Sequence, residues 1–283
     1  MRILLTNDDG IHAPGLALLA EAASQFGDVF VVAPDTERSG SSHAITLFRP
    51  LRLRPTATQW FACDGTPTDC VYLALHELKL APDVLLSGIN PGPNLAHDVL
   101  YSGTVSAALE GAHWGVPAIA LSHCIGDEAA LAALAPILPQ LLAQLLPVAA
   151  TAGCALNVNL PPAHRIPYLG TRVTRLGERY YSNEVHSRND PRGRLYYWIG
   201  GARVEMPDLP GSDCNAVREN FVSITPLADD LTRHDALAPL AAALDLATPP
   251  SSRSQRGGPG TASRLFAPAA PAAHPPVTPS EPK

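Results

Sequence analysis

The 283-residue chain lacks most of the features that assign a common chemistry at a glance. Its five cysteines, Cys63, Cys70, Cys124, Cys154 and Cys214, are odd in number, and no two stand in C-x-x-C spacing. This argues against a disulfide framework or a zinc knuckle and fits free thiols of a reducing cytoplasm. Charge is scarce at 16%, and 26 acidic residues outnumber 20 basic ones, for a net charge of −6. Electrostatic nucleic-acid binding needs a basic surface, so no nucleic-acid partner is expected. There is no long apolar run. Ile3-Leu4-Leu5 is too short for a signal peptide and leads straight into Asn7-Asp8-Asp9. The weakly polar stretch 129–155 is interrupted by Pro136, Pro139, Pro147, Gln140 and Gln144. It reads as one or two buried helical segments rather than a membrane span. No serine stands in a G-x-S-x-G elbow, and Gly10–Gly15 has the P-loop spacing without its lysine. No G-x-G-x-x-G follows the first strand, and His76-Glu77 lacks the second histidine of H-E-x-x-H.

What the chain does have changes along its length. Residues 249–283 hold nine of the 29 prolines, four basic residues and one acidic residue. With only Leu265, Phe266 and Val277 to bury, this stretch is predicted to be a disordered tail. The body, residues 1–248, keeps 16 basic and 25 acidic residues. It alternates strand and helix signals. Strands are predicted at Arg2–Thr6, Asp28–Ala33, Asp83–Ser87, Pro117–Ser122 and Ala155–Leu160. Helices are predicted at Pro14–Phe26, Cys70–Leu78, Thr104–Trp114, Ala129–Leu146 and Ala236–Leu246. This βαβ rhythm predicts an α/β fold with a parallel sheet between two helical layers. From about residue 171 the rhythm breaks. Arg172–Leu176, Arg194–Ile199 and Ala202–Val204 read as antiparallel strands of a hairpin extension spanning about 171–210.

Each early strand runs into a polar cluster: Asn7-Asp8-Asp9-Gly10, then Asp35–Ser42, then Gly88–Asn94. In an open parallel sheet these loops share one rim, where such sheets bind ligands. Asp8, Asp9, Ser39 and Asn90 would then converge as two carboxylates, a hydroxyl and an amide. All are hard oxygen donors, suited to Mg²⁺, Mn²⁺ or Ca²⁺. A cation would relieve the repulsion between adjacent Asp8 and Asp9. Alternatively, the aspartates cap the next helix or close a turn with Gly10. Tyr101-Ser102-Gly103-Thr104 and Gly65–Asp69 each precede a helix, so each can offer N–H groups to an anion or simply be an N-cap. An acidic metal centre ringed by helix N-termini points to a phosphate ester.

Five ordered motifs carry a resemblance: MRILLTNDDGIHAPG at 1–15, APDTERSGSSHAIT at 33–46, GTPTDCV at 65–71, SGINPGPN at 87–94 and YSGTVSAALEG at 101–111. Together they resemble the SurE family, survival proteins with metal-dependent 5′/3′-nucleotidase activity. RVTRLG at 172–177, DPRG at 190–193, YWIG at 197–200, SITPL at 223–227 and Asp230-Leu231-Thr232 follow in the same order, so the likeness covers about residues 1–247. It implies a three-layer αβα, Rossmann-like core with a β-hairpin extension and a C-terminal element that embraces a partner subunit, as a homodimer or homotetramer. It also implies a cytoplasmic phosphomonoesterase acting on nucleoside 5′-monophosphates, also on 3′-monophosphates and on short polyphosphate. One divalent cation per subunit, Mn²⁺ or Mg²⁺, would be held by Asp8, Asp9, Ser39 and Asn90. Phosphate contacts would fall on Gly40, Asn94, Ser102, Gly103 and Thr104, and one of Asp8 and Asp9 would position or deprotonate water. His43, His97 and His234 are candidates for proton transfer. The sequence departs from the family pattern at Ala96-His97, where the family has glycine after Asn-Leu. It departs again at Ser41–Ala44, at Gly211-Ser212-Asp213 and in the tail. Two further readings use the same acidic pocket: a non-catalytic nucleotide or polyphosphate sensor, and a nucleotide-sugar glycosyltransferase, for which no second half-domain is present.

Overall fold

The computed structural model describes residues 1–124, 128–182, 184–200 and 204–246. The chain separates into two compact units, 1–231 and 232–283. The first begins with β1 (Arg2–Thr6), α1 (Pro14–Ala23), β2 (Asp28–Pro34), β3 (Leu53–Ala57), β4 (Trp60–Cys63) and α2 (Pro67–His76). It continues with β5 (Val84–Pro91), α3 (Gly103–His113), β6 (Ala118–His123), α4 (Glu128–Ala132), α5 (Leu138–Ala152) and β7 (Ala155–Leu160). Then come β8 (Thr171–Val173), β9 (Tyr180–Tyr181), β10 (Val185–Asn189), β11 (Leu195–Ile199), β12 (Val204–Glu205), α6 (Asp213–Arg218) and β13 (Val222–Leu227). The second unit contains α7 (His234–Ala243). The expected tail, 249–283, lies outside the described residues.

One nine-stranded sheet runs β3-β4-β2-β1-β5-β6-β7-β13-β8. The six strands from β4 to β7 pair parallel, while β3 and β13 join antiparallel. Alternate residues of the central strands enter two separate cores, because successive side chains leave a strand on opposite faces. Ile3, Leu5, Val31, Leu86, Ile119 and Leu121 pack with Leu16 and Leu19 of α1 and Leu138 and Leu142 of α5. Leu4, Val32, Leu85 and Ala120 pack with Cys70 and Val71 of α2 and Val105 and Ala108 of α3. Full burial of each Leu, Ile or Val contributes about 1.5–3 kcal/mol. Helices thus cover both faces, which is why the central strands read as continuous apolar runs.

The α/β core and the hairpin stand as expected, with corrections in detail. The helical stretch after residue 128 is two helices, broken before Leu138, where Pro136 stands in the connection. Arg172–Leu176 does not form an antiparallel hairpin strand. Its first part lies in β8, which pairs parallel with β13 at the sheet's edge. The hairpin is β10–β11, closed by Asp190, whose carboxylate accepts the Arg192 and Arg194 N–H groups at 2.8 and 2.9 Å. Of the strand expected at Ala202–Val204, residues 201–203 lie outside the described residues, and Val204 opens β12, which pairs with β9.

At Gly15 the first turn of α1 sits against β5. A β-carbon there would stand 2.2 Å from the Ile89 carbonyl oxygen, a backbone atom. Gly15→Ala is therefore expected to push β5 aside just before Asn90. It should cost about 1–3 kcal/mol, read as a lowered thermal midpoint by circular dichroism.

Candidate active site

Strand order places the rim loops. β1 lies between β2 and β5, so the chain winds outward in opposite directions from β1, and the crevice at that reversal opens at the strands' carboxyl ends. Thr6 is level with Ser87 across the β1–β5 ladder. Three residues beyond each stand Asp9 and Asn90. On the other side, the Arg38 N–H donates to the Asp8 carbonyl at 2.7 Å, which brings Ser39 to the aspartates.

The turn after β1 is closed by Asn7, not by the aspartates. Its amide donates to the Gly10 carbonyl at 2.9 Å and its Oδ1 accepts the Gly10 N–H at 3.2 Å. Both carboxylates are thereby left for other work. Asp8 is buried and accepts from the Thr104 hydroxyl and from the backbone N–H groups of Gly103 and Thr104 at the start of α3. Burial raises its pKa, and these hydrogen bonds oppose the rise. Asp9 has only its own backbone N–H to oppose the rise. Its Oδ2 is buried without a hydrogen-bond partner. Burial first, then the charges of Asp8 and Glu37, push its pKa up to about 7.

Ser39 and Asn90 are engaged only locally. The Ser39 hydroxyl donates to Glu37 Oε1 at 2.8 Å, and the Asn90 amide nitrogen donates to the Gly92 carbonyl at 2.8 Å. Gly40 follows Ser39 with φ at +72°. Ser102 is the N-cap of α3, its Oγ accepting the Val105 N–H at 3.1 Å. Thr66 caps α2 in a reciprocal capping box with Asp69, whose carboxylate also accepts from Thr46. That carboxylate makes the α2 terminus a cap and a poor anion site.

Gly103 marks where the loops meet. A β-carbon on it would stand 2.8 Å from Ser41 Oγ, 2.9 Å from Asp8 Cβ and 3.0 Å from Pro67 Cγ. Four chain segments touch there. Asn94 is held elsewhere: its N–H donates to Asn159 Oδ1 and its amide to Ser122 Oγ, both at 2.8 Å. Its carbonyl accepts from Asn157 and Asn159 at 2.8 and 3.1 Å. Of the histidines, His43 pairs with Glu110 at 2.8 Å, His97 is exposed, and His234 opens α7 in the second unit. Neither His43 nor His97 is hydrogen-bonded to Asp8 or Asp9.

The donor set fits a divalent cation. An orphaned carboxylate oxygen on Asp9, set in the field of Asp8 and Glu37, is what a hard cation binds. Among the described residues no group of three or more His, Cys, Asp or Glu forms a metal cluster.

The family model for Survival protein SurE matches residues 3–183. The chain belongs to the SurE family. A protein named 5′-nucleotidase SurE from Anaeromyxobacter dehalogenans (strain 2CP-C) is 54% identical over 246 residues, covering 83% of this chain and 92% of that protein. The 5′-nucleotidase SurE of Myxococcus xanthus (strain DK1622) is 49% identical over 242 residues, with 84% and 92% covered. The crystal structure of SurE protein from Aquifex aeolicus is 36% identical and superimposes with a TM-score of 0.72, covering 87% of this chain and all of that one.

Several supporting residues of this SurE-family site escape sequence reading. Asn157 and Asn159 carried a usable signal: two amides at alternate positions of an otherwise apolar, fully buried strand. Ser41, Glu37 and Asn7 carried none beyond lying in polar loops. No helix among the described residues is long and apolar enough to cross a membrane.

Proposed function

We propose that this chain is a metal-dependent phosphomonoesterase that hydrolyses nucleoside 5′-monophosphates, and 3′-monophosphates and short polyphosphate as further substrates, to release inorganic phosphate. The observation that carries it is the adjacent pair at the sheet's reversal point: Asp8, buried against the N-terminus of α3, and half-buried Asp9 with an unpartnered carboxylate oxygen. The names of the relatives support the nucleotide substrate. Asp8, Asp9, Ser39 and Asn90 would hold one divalent ion, Mn²⁺ or Mg²⁺. When bound, that ion supplies charge neutralisation for phosphoryl oxygens and a more acidic water. The chain's own residues divide the remaining work. Thr104 and the first N–H groups of α3 fix the Asp8 carboxylate, leaving Asp9 to take a proton from water. Ser102, Gly103 and Gly40 would line the phosphate's approach, with Asn94 shaping the neighbouring loop. Residues 1–248 would form the catalytic body. The exposed apolar side chains of β11, among them Tyr197, Trp198 and Ile199, support a homodimer or homotetramer.

Phosphate release from a panel of nucleoside monophosphates, with Mn²⁺, with Mg²⁺ and with EDTA, tests the reading. Release that either metal sustains and EDTA removes is the expected result. Metal-dependent nucleotide binding by the folded protein without any release would replace it with the sensor reading.

A further inference from the structure

Ser41 has a feature that the proposed function leaves unused. Its Oγ is closed off from solvent and has no hydrogen-bond partner. The backbone is held in place, while the hydroxyl can still rotate about χ1 toward an arriving group. The Ser41 N–H donates to the Arg38 carbonyl at 3.2 Å, and the next residue, Ser42, donates to the Tyr101 carbonyl at 3.1 Å. Ser41 is thus clamped between the loop that carries Ser39 and the residue preceding the α3 cap. Its Oγ lies 2.8 Å from the point a Gly103 β-carbon would occupy, and Asp8 Cβ lies 2.9 Å from the same point. A hydroxyl with a proton to give therefore stands beside Asp8, at the first residue of α3, with no acceptor.

The neighbouring groups show what it awaits. Asp8, Asp9 and Glu37, when ionised, only accept hydrogen bonds and repel an anion. The Thr104 hydroxyl proton is already given to Asp8. An oxyanion entering this crevice needs uncommitted donors, and Ser41 is one. We propose that Ser41 is a substrate-binding residue whose hydroxyl donates to a phosphoryl oxygen of the monoester. This rests on the phosphomonoesterase reading of the same site. Because the contact is to the phosphoryl group, it is independent of base and sugar.

The Ser41→Ala variant of the full chain, loaded with Mn²⁺, tests this. KM and kcat are measured for a nucleoside 5′-monophosphate and for p-nitrophenyl phosphate, together with the inhibition constant of inorganic phosphate and Mn²⁺ affinity by calorimetry. A lost hydrogen bond to a charged group corresponds to about 10-fold or more in affinity. Both KM values and the phosphate inhibition constant are expected to rise about 10-fold or more, with Mn²⁺ affinity and thermal midpoint unchanged. Unchanged KM and inhibition constants would overturn the proposal. So would a rise confined to the nucleotide, which would assign Ser41 to the nucleoside, or a loss of Mn²⁺ affinity, which would assign it to the metal site. A wild-type chain that releases no phosphate would instead overturn the phosphomonoesterase reading. The Ser41 contact would then still be read from inorganic phosphate, which should raise the thermal midpoint of the wild type more than that of the variant.

Discussion

Asp9→Asn is expected to abolish phosphate release, lowering kcat/KM by about 10³-fold or more, while raising the thermal midpoint of the metal-free protein at about pH 8. The two effects share one cause. Asp9 is held where its charge is unwelcome: Oδ2 is buried without a partner, and Asp8 and Glu37 add repulsion. Its pKa in the fold is about 7 against an ordinary 3.8. Between those values the metal-free fold keeps a proton that the unfolded chain has released, so this residue's contribution to stability falls as pH rises from about 4 to about 7. Above that window the ionised group carries its full penalty, which asparagine removes. A bound cation reverses the sign, because it favours the ionised carboxylates. The rise in thermal midpoint on adding Mn²⁺ to the wild type should therefore be small at about pH 5.5 and large at about pH 8. Asp9→Asn should show little rise at either pH. Calorimetric unfolding with Mn²⁺ and with EDTA checks all of this. A variant that keeps metal-dependent turnover, or whose metal-free midpoint at about pH 8 lies below the wild type's, would remove Asp9 from the metal site.

The same pair shows how far the sequence could be read. The acidic dipeptide, its place after a strand and its convergence with Ser39 and Asn90 all follow from local pattern plus one topological rule, because parallel strands share a carboxyl-end rim. The choice between a turn-forming and a free aspartate does not follow. It is settled by Asn7, one residue earlier, whose amide closes the turn instead. Likewise the Ser102-Gly103-Thr104 segment read as either an anion cradle or an N-cap, and Ser102 is the cap. In the fold the segment's first N–H groups and the Thr104 hydroxyl meet an anion that belongs to the chain itself, Asp8. The sheet's margins were the least legible. β8 and β13 pair across about fifty residues, and β3 is carried at the edge through Pro55 and a register shift. Such pairings depend on which distant strand is available, and local periodicity does not record that.

Gly103→Ala is expected to lower kcat/KM by about 10²-fold or more, with a far smaller effect on global stability. Three different elements would crowd the added methyl: the Ser41 loop, Asp8 at the end of β1, and Pro67 at the start of α2, all within 3.0 Å. Ser41 Oγ can rotate aside about its own χ1, but Asp8 Cβ can move only with its backbone. Pro67 is fixed as the first residue of a capped helix. Asp8 is therefore among the groups that must move. A shift of its carboxylate breaks the bonds from Thr104 and α3 that aim it, and a displacement of about 1 Å in a catalytic constellation can cost about 10²-fold. The core beneath is untouched, since Ala107 and Ala108 pack one turn further along α3. Steady-state kinetics with a nucleoside monophosphate, alongside thermal unfolding in EDTA, separates the two effects. A variant with near-wild-type turnover would mean that the junction of these segments yields without moving Asp8, and that the rim is softer than its contacts imply.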